Sequence, residues 1–371
     1  MPTLELHGFV SPGYIVSFGN DYLAKSEFEP SSGQIGSFEF AEAGLNATTQ
    51  LTDRLRAGIQ FFVRDLGSTG NYNARFDWFY LDYRFADWFG IRAGRTKVPF
   101  GLYNEVNDID AARVPVLLPQ SVYPVENRDF ILAQTGAEVY GYVSLGGAGA
   151  LDYRLYGGTI FVPTNDDLAR PVRVRRISVP YLFGGRLMYE TPVEGLRVGA
   201  SGQVLRLDFD LVAAASTPGA APAQGTLEIP AVVWVASIEY AANALSLAAE
   251  YSLWHLKARS SDELLYRSVP DWLVSERFYV MGAYRVNEWF QPGAYYSLYI
   301  PDWHAISGLE AQQHDWAVTL RFDINEHWLV KLEGHVMYGS AVLGGSFAPA
   351  RAPNDFAKTW GVVLLKTTAY F

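Results

Sequence analysis

The residues able to do chemistry in this sequence are charges spaced two apart on one side of otherwise apolar runs. Arg56, Arg64, Arg92, Arg154, Arg186, Arg197, Arg277, Arg285, Arg321, Lys331 and Lys366 fall on that side. So do Asp82, Asp152, Glu190, Glu239, Glu250, Asp323 and Glu333. Charges gathered on one wall act on ions: arginine and lysine favour anions, aspartate and glutamate favour cations. A second set sits outside the alternating runs, in one long segment with Lys97, Glu105, Asp108, Asp110, Arg113, Glu126, Arg128 and Asp129. Facing the basic wall, an acidic segment of this kind would set up a transverse field.

Other chemistries find little support. The six histidines are scattered and none forms the His-Glu-x-x-His pair that zinc enzymes use. There is no Gly-x-Ser-x-Gly elbow and no phosphate-cradling loop; the stretch from Leu145 to Ala150 reads as a tight turn. With no cysteine, neither disulfides nor thiolate metal sites can form. A net charge of −10 argues against a nucleic-acid partner. The expectation is a protein without catalytic residues, metal or cofactor. The open exception is a Ser/His or Asp/His pair assembled from distant strands, which would leave no local signature.

The elements that position these charges are strands. Leu55, Ala57, Ile59, Phe61 and Val63 alternate with Arg56, Gly58, Gln60, Phe62 and Arg64. Trp316 to Asp323 and Arg277 to Arg285 show the same period of two, which gives a strand one apolar and one polar face. Many runs reach ten residues, longer than the five or six typical of soluble strands and close to the nine to eleven of a tilted membrane strand. No window approaches eighteen uninterrupted apolar residues, and the mean hydropathy of +0.02 is far below that of a helical membrane bundle. Short turns at Thr52-Asp53, Ala86-Asp87, Gly146-Gly149, Val193-Gly195, Ala242-Asn243, Asn287-Glu288 and Asn325-Glu326 alternate with long loops at 19–36, 66–73, 98–133, 162–176, 210–225, 258–272, 301–313 and 341–355.

Short turns at one end and long loops at the other mark a bacterial outer-membrane barrel. The reading is an all-β fold over residues 1–371: a single transmembrane antiparallel β-barrel domain of about sixteen strands, uncertain by one hairpin. Only a closed sheet satisfies every backbone polar group in lipid, and sixteen strands enclose a lumen rather than a packed core. Phe85, Trp88, Phe89, Trp289, Phe290 and Trp328 flank the short turns, where an interfacial aromatic girdle belongs. A soluble sandwich with aromatic core residues is the competing fold. Arg75 and Asp77 break phase with Asp82 and Arg84, so that strand either carries a bulge or ends above the bilayer. Arg95 breaks phase with Arg92 in the same way. The opening Met1-Pro2-Thr3 has no basic or apolar leader region, so either a signal peptide has been removed or the chain is not exported.

Two segments carry a family resemblance. Gly94-Arg95-Thr96-Lys97-Val98-Pro99-Phe100-Gly101-Leu102-Tyr103-Asn104-Glu105 resembles the basic strand end and Pro-Phe-Gly turn of the phosphate-selective (O/P-type) porins and related proteobacterial porins. The closing Thr367-Thr368-Ala369-Tyr370-Phe371 resembles the signal that outer-membrane proteins present to their assembly machinery. The resemblance implies a homotrimer in the bacterial outer membrane, and a long third loop, 98–133, folding inward as the constriction loop. The sequence lacks the dense lysine cluster of phosphate-selective members, which leaves phosphate specificity unsupported.

The expected function is a water-filled porin for passive diffusion of small polar or charged solutes, with a mild anion preference. Its surroundings would be membrane lipid and lipopolysaccharide, which the basic run Arg170, Arg173, Arg175 and Arg176 could touch. One alternative is a plugged outer-membrane structural or docking barrel whose loops bind a partner protein or cell surface. Another is a transporter for hydrophobic solutes, which so charged a lumen disfavours.

Overall fold

A computed structural model describes residues 3–23, 32–33, 35–67, 70–125, 128–162, 172–213, 223–260, 272–343 and 356–371. Its strand segments are β1 (Leu4–Phe18), β2 (Ala41–Gln50), β3 (Leu55–Asp65), β4 (Arg75–Ala86), β5 (Phe89–Lys97), β6 (Ala133–Ser144), β7 (Ala150–Thr159), β8 (Val172–Ser178) and β9 (Leu182–Glu190). They continue as β10 (Leu196–Ala213), β11 (Ala223–Ala242), β12 (Leu245–Lys257), β13 (Arg259–Ser260), β14 (Trp272–Tyr284), β15 (Phe290–Ile300), β16 (Gln313–Asn325), β17 (Trp328–Gly339) and β18 (Thr359–Tyr370).

Two pairs of segments are single strands with an interruption. β8 and β9 both pair with β10; the break falls at Pro180, which has no N–H to give the ladder. β13 continues β12 along β11. The eighteen segments thus make sixteen antiparallel staves, and β1 pairs with both β2 and β18 to close the barrel. Connections of five residues or fewer alternate with connections of nine or more all round the sheet. Phe371 and Gly8 exchange backbone hydrogen bonds at the seam, with the Phe371 ring in the space that a Cβ on Gly8 would need.

Burial is inverted relative to a soluble protein. On β17, Lys331, Glu333 and His335 are buried inside while Leu332 and Val336 are exposed outside. Val10, Leu45, Leu81, Leu155, Phe183, Ile238, Val280, Val318 and Leu365 continue the exposed apolar band, as a barrel standing in hydrocarbon requires. Phe85, Trp88, Trp289 and Trp328 are exposed beside the short turns, at the height expected for the girdle.

The two phase breaks have different causes. β4 shifts register between its pairings with Gln60 and Phe61, so a bulge lets Asp77 join Trp78 on the interior side. Arg95 pairs with Phe79 on the outward phase, beside Gly94 at φ +132°, and folds its Nε back to the Asp77 carbonyl at 2.9 Å.

Candidate functional site

The segment between β5 and β6 folds into the barrel because of its first residues. Val98 donates to the Leu132 carbonyl at 2.9 Å, the last rung joining the two stems. Pro99 cannot continue the ladder, and Gly101 turns the chain at φ +61°, a conformation that disfavours any side chain. Asn104 then ties the stems together, its amide donating to the carbonyls of Val98 at 2.8 Å and Ile131 at 2.7 Å. Three short 3-10 turns, Asn104–Val106, Asp110–Ala112 and Arg128–Phe130, shape the remainder.

Two interior carboxylates receive the loop. Glu250 on β12 accepts the N–H of Leu102 at 2.9 Å, the hydroxyl of Tyr279 at 2.7 Å, and the hydroxyls of Tyr123 and Ser237. Glu333 on β17 accepts the N–H groups of Val116 and Leu117 at 2.6 and 2.8 Å and the hydroxyl of Thr319 at 2.5 Å. His335 bridges Glu333 at 3.1 Å and Asp315 at 2.9 Å. Between these anchors Ser121 donates to the Phe278 carbonyl at 3.0 Å and receives Ser297 at 2.8 Å. A hydrogen bond contributes about 0.5–1.5 kcal/mol net, and more when one partner is charged, so the loop is held against β12 to β18 by several such contacts together.

Basic wall residues complete that side. Lys331 donates to the carbonyls of Asp110 at 2.7 Å and Arg113 at 2.8 Å and pairs with the Asp110 carboxylate at 3.0 Å. Arg321 reaches the carbonyls of Ala111 and Arg113 and pairs with Asp323 at 2.8 Å. Lys366 pairs with Glu42 at 2.7 Å. Arg277 donates to the Ser121 carbonyl at 2.7 Å, its guanidinium 3.6 Å from the Trp254 ring centroid. Burial would push the Asp110 carboxyl up, but Lys331, Lys366 and Arg113 outweigh it and hold Asp110 well below the usual range. Burial beside Glu250 pushes the Tyr123 hydroxyl up, keeping it a proton donor.

The opposite edge of the loop meets water. Glu105 takes Arg154 at 2.6 Å and Arg186 at 2.7 Å. Arg92 pairs with Asp82 at 2.8 Å and Glu138 at 3.4 Å. The side chains of Glu105, Arg92 and Arg154 are 27%, 21% and 20% exposed, whereas Lys331 and Glu333 are at 0%. The edge of the loop that faces Arg92 and Arg154 is therefore less buried than the edge held by Lys331 and Glu333. Burial would raise the Glu105 carboxyl, yet Arg154 and Arg186 prevail and hold it below the ordinary carboxylate range.

Most of the remaining expected residues that the structure describes are interior and paired. Lys97 joins Asp77 at 2.8 Å and contacts Asp108, which also takes Arg128. Arg75 holds Asp129 at 2.7 Å, and Arg113 lies 3.6 Å from Asp110. Near the short-turn end, Arg56 meets Glu5, Arg197 meets Glu239, and Arg285 lies 3.7 Å from Asp323. Arg64 makes one long bond, 3.5 Å, to the Val125 carbonyl. Glu126 and Arg170 lie outside the described residues; Arg175 and Arg176 are exposed on β8.

Among the described residues the loop's acids thus touch basic side chains instead of facing them across a gap, and Glu105 and Asp129 are the more exposed of them, at 27% and 22%. Sequence reasoning missed Glu42, Glu138, Asp315 and His335, although each sits on the interior phase of its strand, and it missed Tyr123 within the loop. Asp77 was masked by the bulge. Among the described residues no group of three or more metal-ligating side chains converges.

Neither a protein-family model nor a curated protein sequence matches the chain. Solved structures do. The outer-membrane-expressed OmpT of Vibrio cholerae is 11% identical at a TM-score of 0.60, covering 100% of this chain and 98% of that one. An anion-selective porin from Comamonas acidovorans is 14% identical at 0.58, covering 100% of both. OmpF of Salmonella typhi, solved with daunomycin, is 13% identical at 0.55, covering 99% and 97%. Over its whole length, the chain has the fold of bacterial outer-membrane porins and channels.

Proposed function

We propose that this protein is an outer-membrane channel for passive diffusion of small polar or charged solutes, not an enzyme. One observation carries the reading. The described residues of the 98–132 segment lie inside the barrel, pinned dry against β12 to β18, while the segment's Glu105 edge and the facing Arg92 and Arg154 are partly exposed and Arg186 less so. That asymmetry is what a narrowed aqueous passage needs: a rigid lip and a wet, charged wall.

A mild anion preference belongs to the same reading and rests on Arg92, Arg154 and Arg186, which share that edge with the loop carboxylate of Glu105 and the wall carboxylates of Asp82, Glu138 and Asp152. Assembly as a homotrimer, with lipid and lipopolysaccharide around the apolar band, belongs to the same proposal; an anion-selective porin and a trimeric form of OmpT among the structural neighbours support it. Phosphate selectivity has no support in the site. A plugged barrel is the second reading, favoured by the apolar packing of Phe100, Leu118, Val122 and Tyr123 against Trp254 and Tyr279 inside the lumen.

Single-channel recording in a planar bilayer under a salt gradient separates the two. Stable steps with an anion-favouring reversal potential support the proposal, and a cation-favouring potential removes the anion preference. A folded, inserted protein that never conducts makes the plugged barrel the better account.

A further inference from the structure

The cavity behind the loop asks for a negative charge. It is bounded by β2, β3, β18 and two stretches of the loop, has a volume of about 20 Å³, and is lined by Arg64, Arg113, Arg128, Lys366, Asn107 and Glu42 together with apolar side chains. We infer that it holds a resident monatomic anion of the halide class, bound between Arg64, Arg113 and Arg128 as a fixed part of the folded-in loop.

The argument starts with Arg64, which is 5% exposed. Its cross-strand neighbour is Glu42, whose carboxylate is engaged by Lys366 at 2.7 Å. Among the described residues no carboxylate lies within 4 Å of Arg64, and its one hydrogen bond is the 3.5 Å contact to the Val125 carbonyl. The other two guanidiniums have their own acids, Asp110 for Arg113 and Asp108 for Arg128. Even so, the Nε atoms of both are buried and have no hydrogen-bond partner. Both residues are more than nine-tenths buried.

The three guanidiniums therefore share one small space with donors to spare, and among the described residues Arg64 has no carboxylate in contact; a buried charge left uncompensated is strongly unfavourable. Water accepts hydrogen bonds but neutralises nothing. An anion does both.

Size chooses among anions. A volume of this order holds one water-sized species, which admits chloride or bromide and excludes phosphate, sulfate or a carboxylic acid. The ion would bridge β3 to both arms of the loop, at Arg113 and at Arg128, and so stabilise the inward conformation by mass action. This site is independent of whether the lumen conducts, so failure of the channel proposal leaves it standing and the reverse also holds.

The test uses the full-length protein in detergent. Crystals grown with bromide as the only halide should show an anomalous peak in the cavity within contact distance of Arg64 and Arg113. At matched ionic strength, the thermal unfolding midpoint should rise and saturate with added chloride or bromide but not with gluconate, and Arg64→Gln should abolish that dependence. A crystal with water only in the cavity overturns the inference. So does a halide dependence that survives Arg64→Gln. If that variant does not fold, the wild-type anomalous map decides alone.

Discussion

The carboxylate of Glu333 accepts the backbone N–H of Val116 at 2.6 Å, joining a wall strand to a loop residue 217 positions away. Its other oxygen takes Leu117 and His335. This one side chain fixes the bend at which the loop turns back along the wall.

Glu333→Ala therefore leaves two loop N–H groups, the Thr319 hydroxyl and the Nε2 of His335 without an acceptor, at about 1–3 kcal/mol for each buried group. The barrel ladder does not depend on Glu333, so strand content by circular dichroism should stay unchanged. The loop should loosen, seen as higher open-channel noise and larger conductance. Glu333→Gln, which keeps one acceptor oxygen, should sit between the two. An alanine variant with a quiet, wild-type channel would remove Glu333 from the anchoring role.

Glu105 is the loop's charge at the wet edge, and it neutralises Arg154 and Arg186 together. Glu105→Gln should leave Arg154 only Glu138 and Arg186 only Asp152 as acidic partners, and raise the anion-to-cation permeability ratio roughly twofold, equivalent to about 0.4 kcal/mol. Replacing Arg154 and Arg186 with glutamine should move the ratio the other way. Reversal potentials under a salt gradient check both, and equal potentials in all three proteins would place the conducting path elsewhere.

Gly101 has φ +61°, and a Cβ there would lie 2.7 Å from a Glu250 carboxylate oxygen. Gly101→Val combines left-handed strain of about 1–3 kcal/mol with that clash. The stem should rotate away from Glu250, releasing Leu102 and Tyr123. The expected result is a folded barrel of raised conductance, together with faster proteolytic cleavage within 98–132.

The barrel was legible because lipid leaves a strand no freedom: each outward position must be apolar, so period and phase survive in the sequence. Lys331, Glu333 and Lys366 could be placed inside on phase alone. What phase cannot reveal is whom an interior charge meets. Glu250 and Glu333 look like any two wall acids, yet one caps Leu102 and the other Val116, because the loop's path depends on packing among residues far apart in the chain. Local irregularity hides the rest. Asp77 joined the interior only through the bulge beside Trp78, which gives no stronger signal than two charges out of step.

Protonation of Asp110 and Glu105 should loosen the loop only far below neutrality. Asp110 is buried, which would raise its pKa, but Lys331, Lys366 and Arg113 more than reverse this, and Glu105 is likewise depressed by Arg154 and Arg186. A carboxyl depressed in the folded state gives stabilisation that is complete above its unfolded value, about 3.9 for aspartate and 4.3 for glutamate. That stabilisation is lost as pH falls through the lower folded value. The share of open-channel noise that Asp110 and Glu105 control should thus stay flat from pH 7 to about pH 5 and climb only below the ordinary carboxylate range. Asp110→Asn removes the charge that Lys331 and Lys366 share, so its channel should already be noisy at pH 7, with a weaker rise in acid. A wild-type channel that loosens between pH 7 and 5 would mean that some other group, not Asp110 or Glu105, sets the loop's response to protons.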